Sequence, residues 1–539
     1  MFKTRDHLQS QYKGRKGPVK KILILAFVAL LSLSAMAVMP DQLEFRRQAA
    51  QRMVFDSSQD IPLSGLYPSK IVGLDVMHPP VGEQVNNPHL STEQGQLRVA
   101  ANDADATATR WVGAFNPFAT YDVAVHKFNG SGEVGVLFRD TDAENRVTAT
   151  LVVENGAFQA VRAVVTSDGQ EVDRQEYALP KKLAGKDPLR LRVQMMAVGA
   201  NLYVERGGQS TLIGNVDIVK HFDLRRRELA HRFEFCLTSS VEAGQSIFID
   251  EATAVLSPGC GQADIRPITT KDGSPFWDDN RLWFTMTLRG RHGGWPMQGV
   301  FSLNPSVFDI QFEGLIVFDR EDGLLRNELA SHIFYDREAE MWRGMTVGFS
   351  YAADPLKKEK KQLWAVESKR DPRFGFSIMK ANALDMPGAS EDPCVIYDKD
   401  AGKWRVLVCA HAKGFPAAVY EADQWDGPYH RIAGPVTVDS TGCQLQKFGG
   451  QYYALVGSAD RAMYIYSYPD LKPLGELNIH RPPWGEKNNT RVWPTVVPLP
   501  DGYPAPYMML TMDRANFPGM LNPSWTYGAM YLYYGFFEK

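Results

Sequence analysis

The stretch SEDPCVIYDKDAGKWRVLVCAHAKG, residues 390–414, reads as a β-hairpin with a decorated start: an acidic pair and a proline, an apolar strand, a tight polar turn, a second apolar strand. Four further segments share this plan. They are DGSPFWDDNRLWFTMTLRGR from Asp272, NELASHIFYDREAEMWRGMTVGFS from Asn327, TGCQLQKFGGQYYALVGSADR from Thr441 and NTRVWPTVVPLPDGYPAPYMMLTMDR from Asn489. Their spacing of about 50 to 65 residues is that of β-propeller blades. AAVYEADQWDGPYHRIAG and AMYIYSYPDLKPLGEL supply further strands, and YGAMYLYYGFF completes the last sheet. Residues 261–539 fit five blades and are too few for six or seven.

Upstream the pattern changes. From about Asp75 to Pro258 short strands alternate at period two, as in YDVAVHKFNGSGEVGVLFRD and LRLRVQMMAVGANLYVERGG, with Asn-Gly and Gly-Ser turns between them. The chain therefore reads as all-β: a jelly-roll β-sandwich over residues 75–260, then a five-bladed β-propeller over 261–539. The sandwich resembles concanavalin-like jelly rolls in architecture alone, which says little about function. Residues 38–74, including DQLEFRRQAAQRMVFDSSQD, are expected to form a linker with a short helix. Ahead of them, KGRKGPVKK is followed by ILILAFVALLSLSAMAV, an apolar run of 17 residues. That is short for a membrane span and suits a signal peptide over residues 1–37, ending in the small-x-small Ala35-Met36-Ala37. The expectation is export to the periplasm or beyond, with no membrane attachment after cleavage; an uncleaved signal anchor is the competing reading.

A chain of 539 residues is too long for one compact core, and a net charge of −3 gives no footing for a nucleic-acid partner. The five cysteines, Cys236, Cys260, Cys394, Cys409 and Cys443, contain no C-x-x-C pair and so do not point to a cysteine-based zinc site. Cys236 and Cys260 flank one strand and could form a single disulfide; the other three read as small buried hydrophobes.

Propeller geometry gives the strand starts a meaning. The innermost strand of each blade lines the axis, so residues at its start converge on one end of the channel although they are distant in sequence. Asp272, Glu328 and Asp392 come from three consecutive blades and are the candidate carboxylates for glycosidic cleavage, in which one acid protonates the leaving oxygen and the other activates water or attacks. Asp278 and Asp279 are the fallback in the first blade. Each also has a plain structural reading, since Asp-Pro and Asp-Gly are common in turns.

The five-unit pattern, with Asp-Pro in EDPCVIYDKDAGKW and the hairpin GGQYYALVGS, resembles the five-bladed propeller glycoside hydrolases, the arabinanase/xylosidase-like and invertase-like enzymes. The resemblance runs from about Asp264 to the C-terminus. It implies a hydrolase with an Asp in the first blade, an Asp in the second and a Glu in the third. Here the matching positions would be Asp272, Glu328 and Asp392, with the identities permuted, and TGCQ stands where many relatives carry the acidic Glu. Residue order favours Glu328 as general acid and Asp272 as general base, with Asp392 tuning the acid. An Arg-Asp-Pro, residues 370–372, lies between hairpins.

The ends of the second strands add Arg289, Arg291, His292, Trp295, His411, Lys413, Asp460, Arg461, Asp513 and Arg514, and the fifth start adds Arg491 and Trp493. Cations at such density suit an acidic sugar, because Arg pairs bidentately with a carboxylate; ion pairing between blades is the competing explanation. The expected partner is an oligosaccharide or polysaccharide from plants or algae. No cofactor is called for: some propeller hydrolases hold a calcium on the axis, but nothing in this sequence demands one. Two other functions stay open. One is a glycan-binding protein without turnover, supported by TGCQ. The other is a uronic-acid lyase using His292, His411 or a Tyr as base.

Overall fold

A computed structural model describes residues 39–66, 83–289, 295–354, 356–480, 493–512 and 529–537. The expected signal peptide, including Ala35 to Ala37, lies outside the described residues.

Five blades surround one axis. From inside outward, blade 1 is Gln262–Pro267, Arg281–Arg289, Pro296–Asn304 and Asp309–Asp319; blade 2 is Leu329–Asp336, Met341–Val347, Leu363–Ser368 and Gly375–Ala383. Blade 3 is Ala389–Asp398, Lys403–Ala410, Ala417–Ala422 and His430–Ala433; blade 4 is Thr441–Phe448, Gln451–Gly457, Met463–Ser467 and Pro473–Glu476. Blade 5 has Thr495–Pro498, Tyr507–Met512 and Met530–Phe537, and takes its outer strand, Leu43–Gln51, from the far end of the chain.

That outer strand corrects the expectation of a helix or linker over 38–74. LEFRRQAAQ has the composition of a helix, yet Leu43 and Phe45 are fully buried and the segment pairs antiparallel with Met530–Phe537. Tertiary pairing overrides a weak local preference. The gain is topological: a strand from the beginning of the chain closes the ring and covers an open edge. Gly535 makes room for it, since a Cβ there would meet the Phe45 ring at 2.9 Å.

Blade 1 departs from its expected phase. The hairpin in FWDDNRLWF exists, with Asp279 and Asn280 left-handed in its turn, but its first arm is only Trp277–Asp278. The inner strand lies earlier, in QADIRP, joined to the second strand by a long connection over residues 268–280. Asp272 therefore belongs to the loop after the inner strand rather than to its start.

The sandwich is two antiparallel sheets. One runs Gln170–Ala178, Ala157–Ser167, Arg146–Glu154, Gly132–Asp140, Phe233–Val241, Ala106–Ala114, Gln84–Val85; the other runs Gln209–Asp217, Gly199–Arg206, Leu189–Met195, Thr120–Asn129, Ser246–Leu256, Gln96–Ala100, His89–Glu93, with Ile61–Leu66 also on Ser246–Leu256. Period-two alternation turns Val123, Val125, Leu191 and Val193 inward against Val134, Val136, Leu151 and Phe235. Their core is continuous with that of blades 1 and 2. Trp295 packs on Gly199, Asn327 donates to Met196 O at 3.2 Å, and the buried Arg225 reaches Ser350 O and Ala353 O. The expected Cys236–Cys260 disulfide does not form: both are buried thiols, Cys236 beside Glu234 on the seven-stranded sheet and Cys260 against Tyr203 of the other.

Candidate active site at the propeller mouth

The inner strands of blades 1 to 4 share one irregularity. In each, the ladder to the second strand slips, between Ala263 and Arg266, Leu329 and His332, Glu391 and Cys394, Thr441 and Gln444. Each slip contains one left-handed residue: Asp264 (φ 56°), Ala330 (52°), Asp392 (56°) and Gly442 (62°). Such bulges re-aim side chains near the rims of closed β structures. Glycine accepts the conformation freely in blade 4, whereas Asp264, Ala330 and Asp392 hold it at a cost of order 1–3 kcal/mol each. Asp392 is held there although it precedes Pro393, which ordinarily drives its neighbour to extended backbone. Of the three non-glycine residues held at these equivalent positions, two are carboxylates, and they mark this end of the axis.

Asp264 and Asp392 are each only 4% exposed. Asp392 Oδ2 accepts from Gly442 N at 2.8 Å and Thr441 Oγ1 at 3.1 Å, with the Cys409 thiol at 3.7 Å. Burial pushes its carboxyl up, the charge of adjacent Glu391 adds to this, and Arg266 opposes it. Arg266, 1% exposed, braces the mouth from below: it donates to Asp392 O at 2.9 Å and to Cys443 O, tying blade 1 to blades 3 and 4. Its guanidinium lies 4.9 Å from the Trp493 ring centre, and Trp493 Nε1 donates to Ile265 O at 2.5 Å.

The structure does not bring Asp272, Glu328 and Asp392 together. Thr269–Thr270 pairs in parallel with Phe334–Tyr335 at the end of blade 2's inner strand, and Tyr397 N donates to Lys271 O. Asp272 thus sits level with the far ends of the inner strands. Asp392 precedes Tyr397 by five residues, and at about 3.3 Å per residue that separates it from Asp272's level by roughly 15 Å along the axis. Asp272 closes its own turn, accepting from Thr270 Oγ1 at 2.6 Å and Ser274 N at 3.4 Å. The fallback residues Asp278 and Asp279 belong to the same connection, Asp278 paired with Arg373.

Glu328 lies at the correct end but turns away from the axis. Its carboxylate is 1% exposed and accepts four hydrogen bonds, from Arg320 at 2.7 Å, Ser350 Oγ and Ser350 N at 2.9 Å, and Phe349 N. Arg320 in turn lies 3.6 Å from the Trp364 ring centre and pairs with Glu359. Burial raises the Glu328 carboxyl and Arg320 draws it back.

Neither candidate tryptophan offers a stacking face to a sugar. Trp295 is buried against Gly199, and Trp493, 2% exposed, fills the space where a Cβ on Gly442 would meet its ring at 2.6 Å. His411 and Lys413 are exposed in the loop after the second strand of blade 3, at the same end as Asp392, and Asp460 and Arg461 occupy the matching loop of blade 4. Arg289 ends a described strand, opposite Pro296, while its side chain and all of Arg291, His292, Arg491, Asp513 and Arg514 lie outside the described residues. Asp371, in the Arg-Asp-Pro, pairs with Arg373 away from the strand starts.

Asp264 and Arg266 escaped the sequence reading. Their signal was present in QADIRP, an acidic residue early in a strand like the one in EDPCV, but the Asp272 hairpin drew the blade boundary past it. Among the described residues no group of three or more His, Cys, Asp and Glu is arranged to hold a metal ion. The axial lining of Arg266, Thr269, His332, Cys394 and Gln444 does not suit calcium, since it offers a cation and no carboxylate.

No protein-family model and no curated protein matches the sequence. Solved structures do show likenesses. A family 117 glycoside hydrolase produced by the marine bacterium Zobellia galactanivorans is 11% identical, over 51% of this chain and 84% of that one, with a TM-score of 0.35. A GH43_1 enzyme from Xanthomonas citri, complexed with xylose, is 11% identical over 50% and 87%, also at 0.35. Bacillus subtilis levansucrase is 12% identical over 51% and 84%, again at 0.35. Likenesses this distant assign no chemistry, which has to come from the mouth itself.

Proposed function

We propose that the protein is a glycoside hydrolase whose active site is the propeller mouth, with Asp264 and Asp392 as its paired carboxylates. The observation that carries this reading is the shared left-handed bulge, which puts two buried aspartates at equivalent positions on one end of the axis. Glycosidic cleavage needs one carboxyl that keeps its proton and one that does not. Asp392, pushed up by burial and by Glu391, suits the proton-holding role, and Asp264 that of base or nucleophile. The substrate class is a plant or algal polysaccharide fragment. Acidic sugars fit best, because His411 and Lys413 stand exposed at this end and the sequence adds Arg289, Arg291 and Arg491. Export belongs to the same reading. Cleavage after Ala37 would spare the closing strand, which starts at Leu43, and recovered protein beginning at Val38 would support it.

A glycan-binding protein without turnover is the second reading. Thr441 and Gly442, in the TGCQ segment, give Asp392 two donors and no second carboxylate. Reducing-sugar release from pectic, arabinan, xylan and arabinogalactan oligosaccharides, with Asp264→Asn and Asp392→Asn beside wild type, separates the two. Release abolished by both substitutions in folded protein establishes the hydrolase. Saturable binding with no release establishes the binder, and release untouched by either substitution moves the chemistry elsewhere.

A further inference from the structure

Below the mouth, a small cavity of about 10 Å³ lies on the propeller axis, room for a single ion or water. Arg266, Thr269, His332, Cys394 and Gln444 line it. Its chemistry is one-sided. Arg266 is buried to 1% exposure; among the described residues no carboxylate is in ion-pair contact with it, and its Nε, sealed from solvent, has no hydrogen-bond partner. A buried donor left in that state costs about 1–3 kcal/mol, more for a charged group.

The other polar groups are either donors or already occupied. His332 Nδ1 accepts from Val395 N at 2.9 Å, so in the neutral ring the proton sits on Nε2 and is donated to Thr269 Oγ1, 3.1 Å away. Burial, with Arg266 beside it, holds His332 neutral by depressing it to about 3. Thr269, having accepted, keeps its hydroxyl hydrogen for a further partner. Gln444 is engaged at both ends with Val496, donating to its O at 2.7 Å and accepting from its N at 2.8 Å. Cys394 Sγ accepts from Leu445 N, and burial keeps its thiol protonated. The lining therefore carries one positive charge, two available N–H or O–H groups and no negative charge.

We infer that the axial cavity is a binding site for one small monovalent anion of the halide class, held by Arg266 Nε and the Thr269 hydroxyl. The anion neutralises the buried guanidinium and completes its hydrogen bonds. Because Arg266 also ties blade 1 to the strands carrying Asp392 and Cys443, occupancy stiffens the floor of the mouth. Water would satisfy the donors but leave the charge uncompensated.

The test uses the full chain, unfolded thermally in rising NaCl or NaBr against sodium gluconate at matched ionic strength, together with diffraction from bromide-soaked crystals. A saturable stabilisation by chloride and bromide beyond that of gluconate is expected, with an anomalous bromide peak between Arg266 and Thr269. Thr269→Val, which keeps Arg266 and the fold, should weaken the apparent anion affinity about tenfold. Equal responses to chloride and gluconate overturn the proposal, as does axial density without an anomalous signal, which would identify the occupant as water. A halide response unchanged in Thr269→Val also overturns it, since the ion would then bind elsewhere.

Discussion

Glu328 and Asp392 are both buried carboxylates near the starts of the inner strands of adjacent blades, yet they differ in what surrounds them. Four donors saturate Glu328, one of them a guanidinium backed by Trp364. Asp392 has a backbone N–H, a hydroxyl and a distant thiol on one oxygen, and its backbone is left-handed before a proline. A carboxylate with every lone pair filled joins elements together, whereas one held in strain with sites to spare is available to a ligand. Burial alone does not separate these two cases; the count of donors does.

The largest expected effect follows on the Asp392 side. Asp392→Asn and Asp264→Asn should each lower kcat/KM by about 10³ or more while the variants keep the native circular dichroism spectrum. Glu328→Gln should act on stability, with a loss of about 1–3 kcal/mol in urea unfolding, because the buried Arg320 loses one of its two carboxylate partners and keeps only Glu359. Its folded fraction should turn over near the wild-type rate. If Glu328→Gln lost activity at full stability, the contrast between the two carboxylates would be reversed.

A smaller effect concerns pH. Asp392 is raised in the folded state, so the fold binds its proton more tightly than the unfolded chain does. Its contribution is complete below the ordinary carboxylate range and is lost as pH rises through the raised value. Asp392→Asn removes that loss. The variant should therefore be at least as stable as wild type at pH 8 and lose this advantage near pH 4. Denaturant midpoints at the two pH values check this; a variant less stable at pH 8 would show that Asp392 serves the fold as Glu328 does.

Much of the fold was legible because propeller hairpins repeat, and blades 2 to 5 were located from turn and alternation signals. Two parts were not. The closing strand Leu43–Gln51 is helical in composition and becomes a strand only through a partner nearly five hundred residues away in sequence. Blade 1 was misphased because Asp279 and Asn280 make a genuine hairpin turn whose first arm is an accessory strand. That one slip replaced Asp264 with Asp272 among the candidates. Likewise Trp493 and Trp295 have the composition of a sugar platform, and only packing reveals that a glycine lies against each.

The smallest expected effect bears hardest on the site assignment. Asp272 is pulled two ways, burial raising its carboxyl and the bonds from Thr270 and Ser274 lowering it further than burial raises it. With the folded value depressed, its contribution to stability is present above the ordinary carboxylate range and fades as pH falls through the lowered one. Asp272→Asn keeps an acceptor for Thr270, so the loss at pH 7 should stay within about 1 kcal/mol. Placed roughly 15 Å along the axis from Asp392's level, the substitution should leave kcat/KM within about twofold of wild type. Steady-state kinetics on the substrate that Asp392→Asn fails to cleave decides the matter. A collapse of turnover in a well-folded Asp272→Asn protein would put the chemistry at the opposite end of the axis, and Asp264 and Asp392 would then be the structural pair.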